Sequence, residues 1–296
     1  MQSTGITTAT VGDIELAYET FGDPGGTPLL LVSGLGSQMI SYADELCAGF
    51  AERGMFVIRF DNRDVGLSTH LHSAGIPRLG DVRRGDRSTV HYELADMAAD
   101  TAGLIEALGL DSVHLVGVSM GGMIAQRVAI TYPERVRSLT SIMSTTGDRS
   151  VGGASPEAQA VLYAPPATDR EGAIARQLET SRVIGSPGFP FDEEAVRARA
   201  GLAYDRGHDP AGVARQMAAI VTSPDRTADL GKVAVPTLVI HGSDDALVNV
   251  SGGRATAAAV PGSELVVIDG MGHDLPRALW PELTERITAH IKRAEG

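Results

Sequence analysis

Apolar and polar positions divide the chain into short continuous apolar runs and longer segments with helical spacing. Continuous runs of this length are typical of strands that are buried on both faces of a parallel sheet. Such runs lie at residues 28–32, 55–60, 113–118, 136–143, 236–240 and 264–268. Apolar residues three and four apart at 94–108 predict an amphipathic helix between two of these strands. The alternation predicts an α/β fold with a mostly parallel sheet and helices on both faces.

Two parts of the chain depart from this alternation. Residues 6–21 alternate polar and apolar side chains around Val11-Gly12-Asp13, which predicts an antiparallel hairpin. Between about 145 and 230 no convincing strand is present, and helix starts such as Ser155-Pro156-Glu157 predict several helices. The sequence therefore predicts a core of residues 1–144 and 231–296, interrupted by a helical insertion at 145–230.

Charge and composition exclude several classes of protein. The net charge of −12 argues against a nucleic-acid-binding surface. We expect no membrane segment, no signal peptide and a cytoplasmic location, because no apolar run is long enough and no basic segment precedes one at the start. The single cysteine, Cys47, rules out an internal disulfide and is expected to be buried. Residues 70–92 carry clustered charges and are expected to form a solvated loop.

The run Gly117-Val118-Ser119-Met120-Gly121 is the first candidate for chemistry. It follows a predicted buried strand and opens a helical pattern. A serine flanked in this way is typical of a strained strand-to-helix turn that exposes its hydroxyl above a parallel sheet. Glycine is needed on both sides because the turn brings backbone close to backbone. The pattern predicts that Ser119 is a nucleophile, which requires a base within hydrogen-bond reach.

The ends of three other predicted strands supply partners for this serine. Ser33-Gly34-Leu35 follows one strand, His241-Gly242-Ser243-Asp244-Asp245 follows another, and Gly270-Met271-Gly272-His273 follows the last. Functional groups gather at the carboxyl ends of the strands in such sheets. A serine, an acid and a histidine therefore occur in this chain order at one expected edge.

With these motifs and the run Asp-Asn-Arg-Asp-Val-Gly-Leu-Ser at 61–68, the chain resembles the α/β-hydrolases that carry a helical cap. Within them it is similar to bacterial carboxylesterases of the mycobacterial lipase/esterase G type and to the aclacinomycin methylesterase group. The resemblance covers essentially the whole chain. It implies an eight-stranded, mostly parallel sheet, with residues 145–230 as the cap.

The resemblance also implies a role for each motif. Ser119 is the expected nucleophile and His273 the expected base. The family acid lies three residues after the glycine of the His-Gly pair, which favours Asp245; Asp244 remains the alternative. The backbone N–H groups of Leu35 and Met120 are expected to form the oxyanion hole.

Other polar residues near these motifs are given structural roles. We expect Asp61, Arg63 and Ser68 to brace a loop, and His241 to be structural. Asp269 and Asp274 are expected to be a strand-end turn residue and an exposed side chain. The remaining histidines show no ligand-like spacing, so no metal site is predicted. Candidate pocket residues in the insertion are Tyr163, Phe189, Phe191, Tyr204 and Met217.

The sequence thus predicts a serine hydrolase that cleaves small carboxylic esters through an acyl-enzyme, without a cofactor. Short-to-medium acyl esters or small methyl esters are the expected small-molecule substrates. The alternatives are a cofactor-free haloperoxidase or perhydrolase, and a catalytically silent binding module with the same fold. A homodimer is left open.

Overall fold

The computed structural model describes residues 3–296, and these residues form one eight-stranded sheet. The expectation that no signal peptide is present depends partly on Met1 and Gln2, which lie outside the described residues. The strands are β1 (Thr7–Val11), β2 (Ile14–Phe21), β3 (Thr27–Val32), β4 (Met55–Phe60), β5 (Val113–Val118), β6 (Val136–Ile142), β7 (Thr237–Gly242) and β8 (Glu264–Ile268). Their order across the sheet is β1-β2-β4-β3-β5-β6-β7-β8.

The direction of each strand follows from its sequence pattern. The alternating segment forms β1 and β2, which pair antiparallel through the turn at Gly12, and β2 pairs antiparallel with β4. Every later pairing, from β4 to β8, is parallel. The central strands are buried along nearly their whole length, because helices cover both faces. The predicted α/β architecture is confirmed.

Eleven α-helices are formed by the described residues. They are α1 (Asp44–Ala51), α2 (Leu79–Arg83), α3 (Leu94–Ala107), α4 (Met120–Thr131), α5 (Pro156–Leu162), α6 (Arg170–Ile184), α7 (Glu193–Arg206), α8 (Pro210–Thr222), α9 (Thr227–Leu230), α10 (Ser251–Ala259) and α11 (Trp280–Glu295). Leu104 of α3 and Ile124 of α4 belong to the core on one face of the sheet. Phe50 of α1 and Ile287 of α11 belong to the core on the other face. None of the described helices is long and apolar enough to cross a membrane.

The five helices α5 to α9 lie between β6 and β7 in the chain. They have a small apolar cluster of their own, which includes Ile174 on α6 and Val196 on α7. The segments on either side, up to β6 and from β7 onward, build the sheet. The described residues between β6 and β7 therefore add helices but no strand to the sheet.

Buried ion pairs join the insertion to the loop after β4. Arg206 donates to the Asp61 carboxylate at 2.6 Å, and Arg215 forms a bidentate pair with Asp64 at 2.7 and 2.8 Å. Asp61 and Asp64 are fully buried, so each needs such a partner. Bidentate guanidinium–carboxylate pairs also fix orientation. The loop at 61–68 thus holds the insertion on the sheet, which extends the bracing role predicted for Asp61.

The segment 70–92 differs from the solvated loop expected there. It contains the short helix α2, and the side chains of Val82 and Tyr92 are 4% exposed. Arg63, which pairs with Asp100, also lies over the Tyr92 ring at 5.0 Å. The clustered charges mask these two apolar anchors in the sequence, which is why the segment has no clear period.

Candidate active site

Ser119 lies at the sharp turn between β5 and α4. Its φ of 57° and ψ of −119° are strained for a residue with a Cβ. A Cβ on Gly117 would lie 2.2 Å from the carbonyl oxygen of Gly121, and a Cβ on Gly121 would lie 2.0 Å from that of Val32. The Ser144 hydroxyl also donates to the Ser119 carbonyl oxygen at 2.9 Å. These contacts explain the flanking glycines and hold a half-buried serine at the carboxyl edge of the sheet.

His273 connects Ser119 to Asp245. Its Nε2 lies 2.9 Å from the Ser119 Oγ, and its Nδ1 lies 2.7 Å from the Asp245 Oδ2. The three side chains come from the loops after β5, β7 and β8, which meet at one edge because the strands are parallel. With Nδ1 protonated toward the carboxylate, Nε2 has a free lone pair for the serine hydroxyl. The arrangement can remove a proton from Ser119 and stabilise the imidazolium that results.

Asp245 is held as an ion by its surroundings. Its Oδ1 accepts hydrogen bonds from the N–H groups of Leu247 and Val248 at 2.9 and 2.8 Å. Burial raises the pKa of this carboxyl, but the charge of His273 and hydrogen bonds from His241, His273 and Val248 outweigh burial and lower the pKa to about 2. His241 is fully buried, and its Nε2 lies 2.7 Å from the Val248 carbonyl oxygen. His241 thus packs against the loop that carries Asp245.

Asp244, the alternative acid, faces another part of the site. Its Oδ2 accepts from the Ser243 hydroxyl at 2.5 Å and from the Gly270 N–H at 3.1 Å. The structure gives it no hydrogen bond to His273 within residues 3–296. Asp244 therefore braces the loop after β8 at its base. Asp269 is exposed, as expected for a strand-end turn residue.

The loop that carries His273 is held by the last residue of α6 and by the residues that follow it. The His273 N–H donates to the Ile184 carbonyl oxygen at 2.6 Å. The Ser186 hydroxyl donates to the Asp274 carboxylate and accepts from the Gly272 N–H at 2.9 Å. We call residues 184–188 the linker. The linker thus contacts the backbone N–H groups of Gly272 and His273 and the side chain of Asp274.

The prediction that Asp274 has an exposed side chain is wrong. Its carboxylate is partly buried against the linker, where it accepts the Ser186 hydrogen bond. Burial raises the pKa of this carboxyl, against the opposing effects of the Ser186 hydrogen bonds and of the charges of His273 and Arg199. A carboxylate next to His273 in sequence is therefore part of the loop's packing rather than a solvated side chain.

The loop after β3 approaches Ser119 closely. A Cβ on Gly34 would lie 3.3 Å from the Ser119 Cβ and 3.8 Å from its Oγ, so glycine leaves room beside the hydroxyl. Within residues 3–296, neither the Leu35 N–H nor the Met120 N–H donates to a protein acceptor. Two backbone N–H groups near the serine thus have no protein acceptor in the described part of the chain. One belongs to Leu35 in the loop after β3, and the other to Met120, the first residue of α4.

The same loop is braced from both the sheet and the insertion. The Asp61 carboxylate accepts from the Met39 N–H at 2.7 Å. The Gln216 side chain on α8 accepts from the Gly36 N–H at 2.9 Å and donates to the Arg63 carbonyl oxygen at 2.8 Å. These contacts fix the backbone next to Leu35. They also explain why the loop at 61–68 lies near the site without contacting the serine.

Two histidines predicted to have no ligand partners do meet a carboxylate. His70 Nδ1 lies 2.8 Å from the Asp209 Oδ2, and His72 Nδ1 lies 3.8 Å from it. Asp209 precedes α8, more than a hundred residues away, so spacing could not reveal the group. The Arg215 guanidinium lies 3.2 Å from the same oxygen, which makes this a hydrogen-bonded charge cluster.

The five aromatic and methionine side chains expected to line a pocket have different environments. Phe189 and Phe191 line a cavity between α6, α7 and the core. Met217 is buried, Tyr204 stacks on His208, and Tyr163 is exposed under the Arg83 guanidinium. The insertion sequence alone did not distinguish these roles, because each residue is compatible with packing as well as with lining.

Ser186 and Ser144 contact the loops of the site, and the sequence did not predict a role for either residue. Ser186 lies in Gly185-Ser186-Pro187-Gly188, a composition typical of any turn. Ser144 follows β6 and has no motif of its own. Both act through hydrogen bonds to backbone that is distant in the chain, and no local signal encodes such contacts.

Comparison with known proteins agrees with this architecture. The model of the family described as "alpha/beta hydrolase fold" matches residues 27–276. Rhodomycin D methylesterase DauP of Streptomyces sp. (strain C5) is 30% identical over 307 residues, covering 96% of this chain and 97% of the relative.

Two solved structures have the same fold. The enol-lactonase of Burkholderia xenovorans LB400 superposes with a TM-score of 0.76 at 20% identity, covering 97% of this chain and 100% of the other. The bromoperoxidase of Bacillus anthracis gives 0.73 at 25% identity, with coverage of 97% and 100%. With a family model that matches most of its length and a relative that matches nearly all of it, the chain belongs to the α/β-hydrolase family.

Proposed function

We propose that this α/β-hydrolase is a serine esterase that cleaves carboxylic esters through an acyl-enzyme on Ser119. The observation that carries the proposal is the continuous hydrogen-bonded series from Ser119 through His273 to Asp245. Nucleophile, base and orienting acid are the three parts that this chemistry needs. The methylesterase named among the relatives supports an ester as the small-molecule substrate.

The residues of the site divide the proposed reaction between them, and His273 acts in turn as base and as acid. Ser119 Oγ attacks the ester carbonyl carbon while His273 Nε2 takes its proton. The N–H groups of Leu35 and Met120 stabilise the oxyanion that forms. His273 then gives the proton to the leaving alcohol, and the bond between the carbonyl carbon and the alcohol oxygen breaks. Water, deprotonated by His273, then attacks the acyl carbon, the bond to Ser119 Oγ breaks, and His273 returns the proton to Ser119 as the acid leaves.

The helices at 145–230 form the cap in this proposal. Gln216 of α8 contacts the loop that carries Leu35, and the linker after α6 contacts the loop that carries His273. In this proposal the cap covers the space above Ser119, an arrangement that suits small esters better than an extended lipid surface. Small methyl esters and short-to-medium acyl esters are therefore the proposed substrate class.

A panel of p-nitrophenyl esters, run beside labelling with a fluorophosphonate probe, tests the proposal. We expect the probe to label Ser119 and to abolish hydrolysis in proportion to labelling. Acetate and butyrate esters should have a higher kcat/KM than palmitate, because the cap limits acyl length. An unlabelled Ser119 would instead favour a silent binding module with this fold.

A perhydrolase is the second candidate, favoured by the likeness to the bacterial bromoperoxidase. Such an enzyme uses the same acyl-enzyme, with peroxide in place of water as the acyl acceptor. Bromination of monochlorodimedone in acetate and peroxide detects the peracid. A rate of bromination above the rate of ester hydrolysis would make this the main activity.

Ser186 should act as a positioning residue for His273. In Ser186→Ala the Gly272 N–H and the Asp274 carboxylate lose their common partner, so the imidazole is held less firmly. We expect kcat to fall about tenfold with little change in KM, because small misplacements of a catalytic group are costly. The rate of fluorophosphonate labelling should fall in parallel.

The conservative variant Ser186→Thr is the control, because it keeps a hydroxyl at this position. It should restore most of the labelling rate and of kcat. If Ser186→Ala lowers the melting temperature but leaves both rates at the wild-type value, Ser186 serves only packing.

A further inference from the structure

A cavity of about 690 Å³ lies between helices α6 and α7 of the insertion and the core around α1 and the segment after β8. Neither Ser119 nor His273 is among the residues that line it. Its volume is within the range that holds small organic molecules. Phe191 and Leu202 line it and are 44% and 50% exposed overall, which is high for large apolar side chains.

Most charged groups on the cavity wall already have partners. Of the three arginines that line it, Arg182 pairs with Glu193 at 2.6 Å and Arg277 pairs with Glu45 at 3.2 Å. The carboxylates on the wall also accept hydrogen bonds or form ion pairs. Asp274, for example, accepts a hydrogen bond from the Ser186 hydroxyl. The wall is therefore electrostatically satisfied apart from the third arginine.

That third arginine is Arg199 on α7. It is half-buried and donates no hydrogen bond to any described residue. The nearest opposing charges, Asp274 and Asp192, form no ion pair with it. Burial lowers the pKa of Arg199, and those two carboxylates only partly oppose the effect. A guanidinium that is partly buried on a cavity wall and has no protein acceptor lacks the compensation that a partly desolvated charge normally has.

We propose that this cavity is a binding site for an organic carboxylate, separate from the Ser119 site. The carboxylate lies on Arg199, whose planar fork of N–H donors matches the two oxygens. The apolar body of the ligand covers Phe191, Leu202 and the neighbouring Phe189. Among the described residues, only one guanidinium on the wall is unpaired, and several carboxylates lie around it. A ligand with one negative charge and an apolar body therefore fits better than a multiply charged phosphate.

Calorimetric titration with 4-phenylbutyrate tests the site, with 4-phenylbutanamide as a neutral ligand of the same shape. At pH 7.5 we expect the acid to bind the wild-type protein at least tenfold more tightly than the amide, because only the acid pairs with Arg199. Arg199→Gln should weaken binding of the acid at least tenfold and leave binding of the amide unchanged.

Arg197→Gln is the matched control, since Arg197 lies on the same helix but is exposed and pairs with Glu193 at 3.5 Å. It should bind the acid as the wild type does. Arg199→Lys, which keeps the charge but not the fork, should lie between wild type and Arg199→Gln. Equal binding of acid and amide by the wild type, no binding at millimolar concentration, or full acid binding by Arg199→Gln would each overturn the proposal. If a variant does not fold, the affinities of the wild-type protein for the acid and for the amide still test the proposal.

Discussion

The variant Ser119→Ala should lose ester hydrolysis by a factor on the order of 10⁴ or more while its fold persists. In the proposed mechanism the Ser119 oxygen forms the acyl-enzyme, and His273 has no second nucleophile at hydrogen-bond distance among the described residues. The loss corresponds to about 5 kcal/mol of transition-state stabilisation. Turnover of p-nitrophenyl acetate measures it, with circular dichroism and thermal unfolding to verify the fold.

The backbone at this position makes the comparison clean. Alanine has a Cβ as serine does, so the strain at φ 57° is unchanged and only the oxygen is removed. Ser150→Ala, a change of the same kind at an exposed serine, should keep the wild-type rate. Activity of Ser119→Ala near that of Ser150→Ala would exclude Ser119 as the nucleophile.

Asp245→Asn should lower kcat about 10⁴-fold and leave the backbone conformation of its loop nearly unchanged. Asp245 Oδ1 accepts from two backbone N–H groups, so the asparagine oxygen takes that position and its NH₂ group faces His273. His273 Nδ1 must then accept a hydrogen bond, which places the ring proton on Nε2. An imidazole in that tautomer cannot take the proton of Ser119.

The neighbouring change Asp244→Asn distinguishes the two candidate acids. Asp244 contacts Ser243 and the Gly270 N–H, so its variant should retain kcat within about tenfold of the wild type. The pH dependence of kcat/KM, measured for both variants, shows whether the base is affected. A greater loss in Asp244→Asn than in Asp245→Asn would transfer the acid's role to Asp244.

Local sequence signals were sufficient for the sheet and for the order of the polar loops. Continuous apolar runs predict β3 and β5 because buried parallel strands need no alternation, and the hairpin pattern predicts β1 and β2. The glycines beside Ser119 encode a close backbone approach that the structure contains. Where geometry depends on neighbours in the chain, the sequence was a reliable guide.

Long-range contacts carried no such signal. The prediction of an exposed Asp274 side chain is wrong because its partner, Ser186, is 88 residues away and lies in an ordinary turn. The burial of Val82 and Tyr92 depends on packing against other elements, whereas charges dominate their own segment. Arg199 likewise reads as one more arginine on a polar helix, and only the tertiary structure places it at a cavity.

The hydrogen bonds between the linker and the His273 loop have a consequence for protein engineering. A chimera could be made by exchanging the inserted helices for those of another α/β-hydrolase. In this protein such an exchange would remove the Ile184 carbonyl and the Ser186 hydroxyl, which hold the loop that carries His273. A functional chimera should therefore retain residues 184–188 of this chain, because the proposed base depends on hydrogen bonds that come from the exchanged segment.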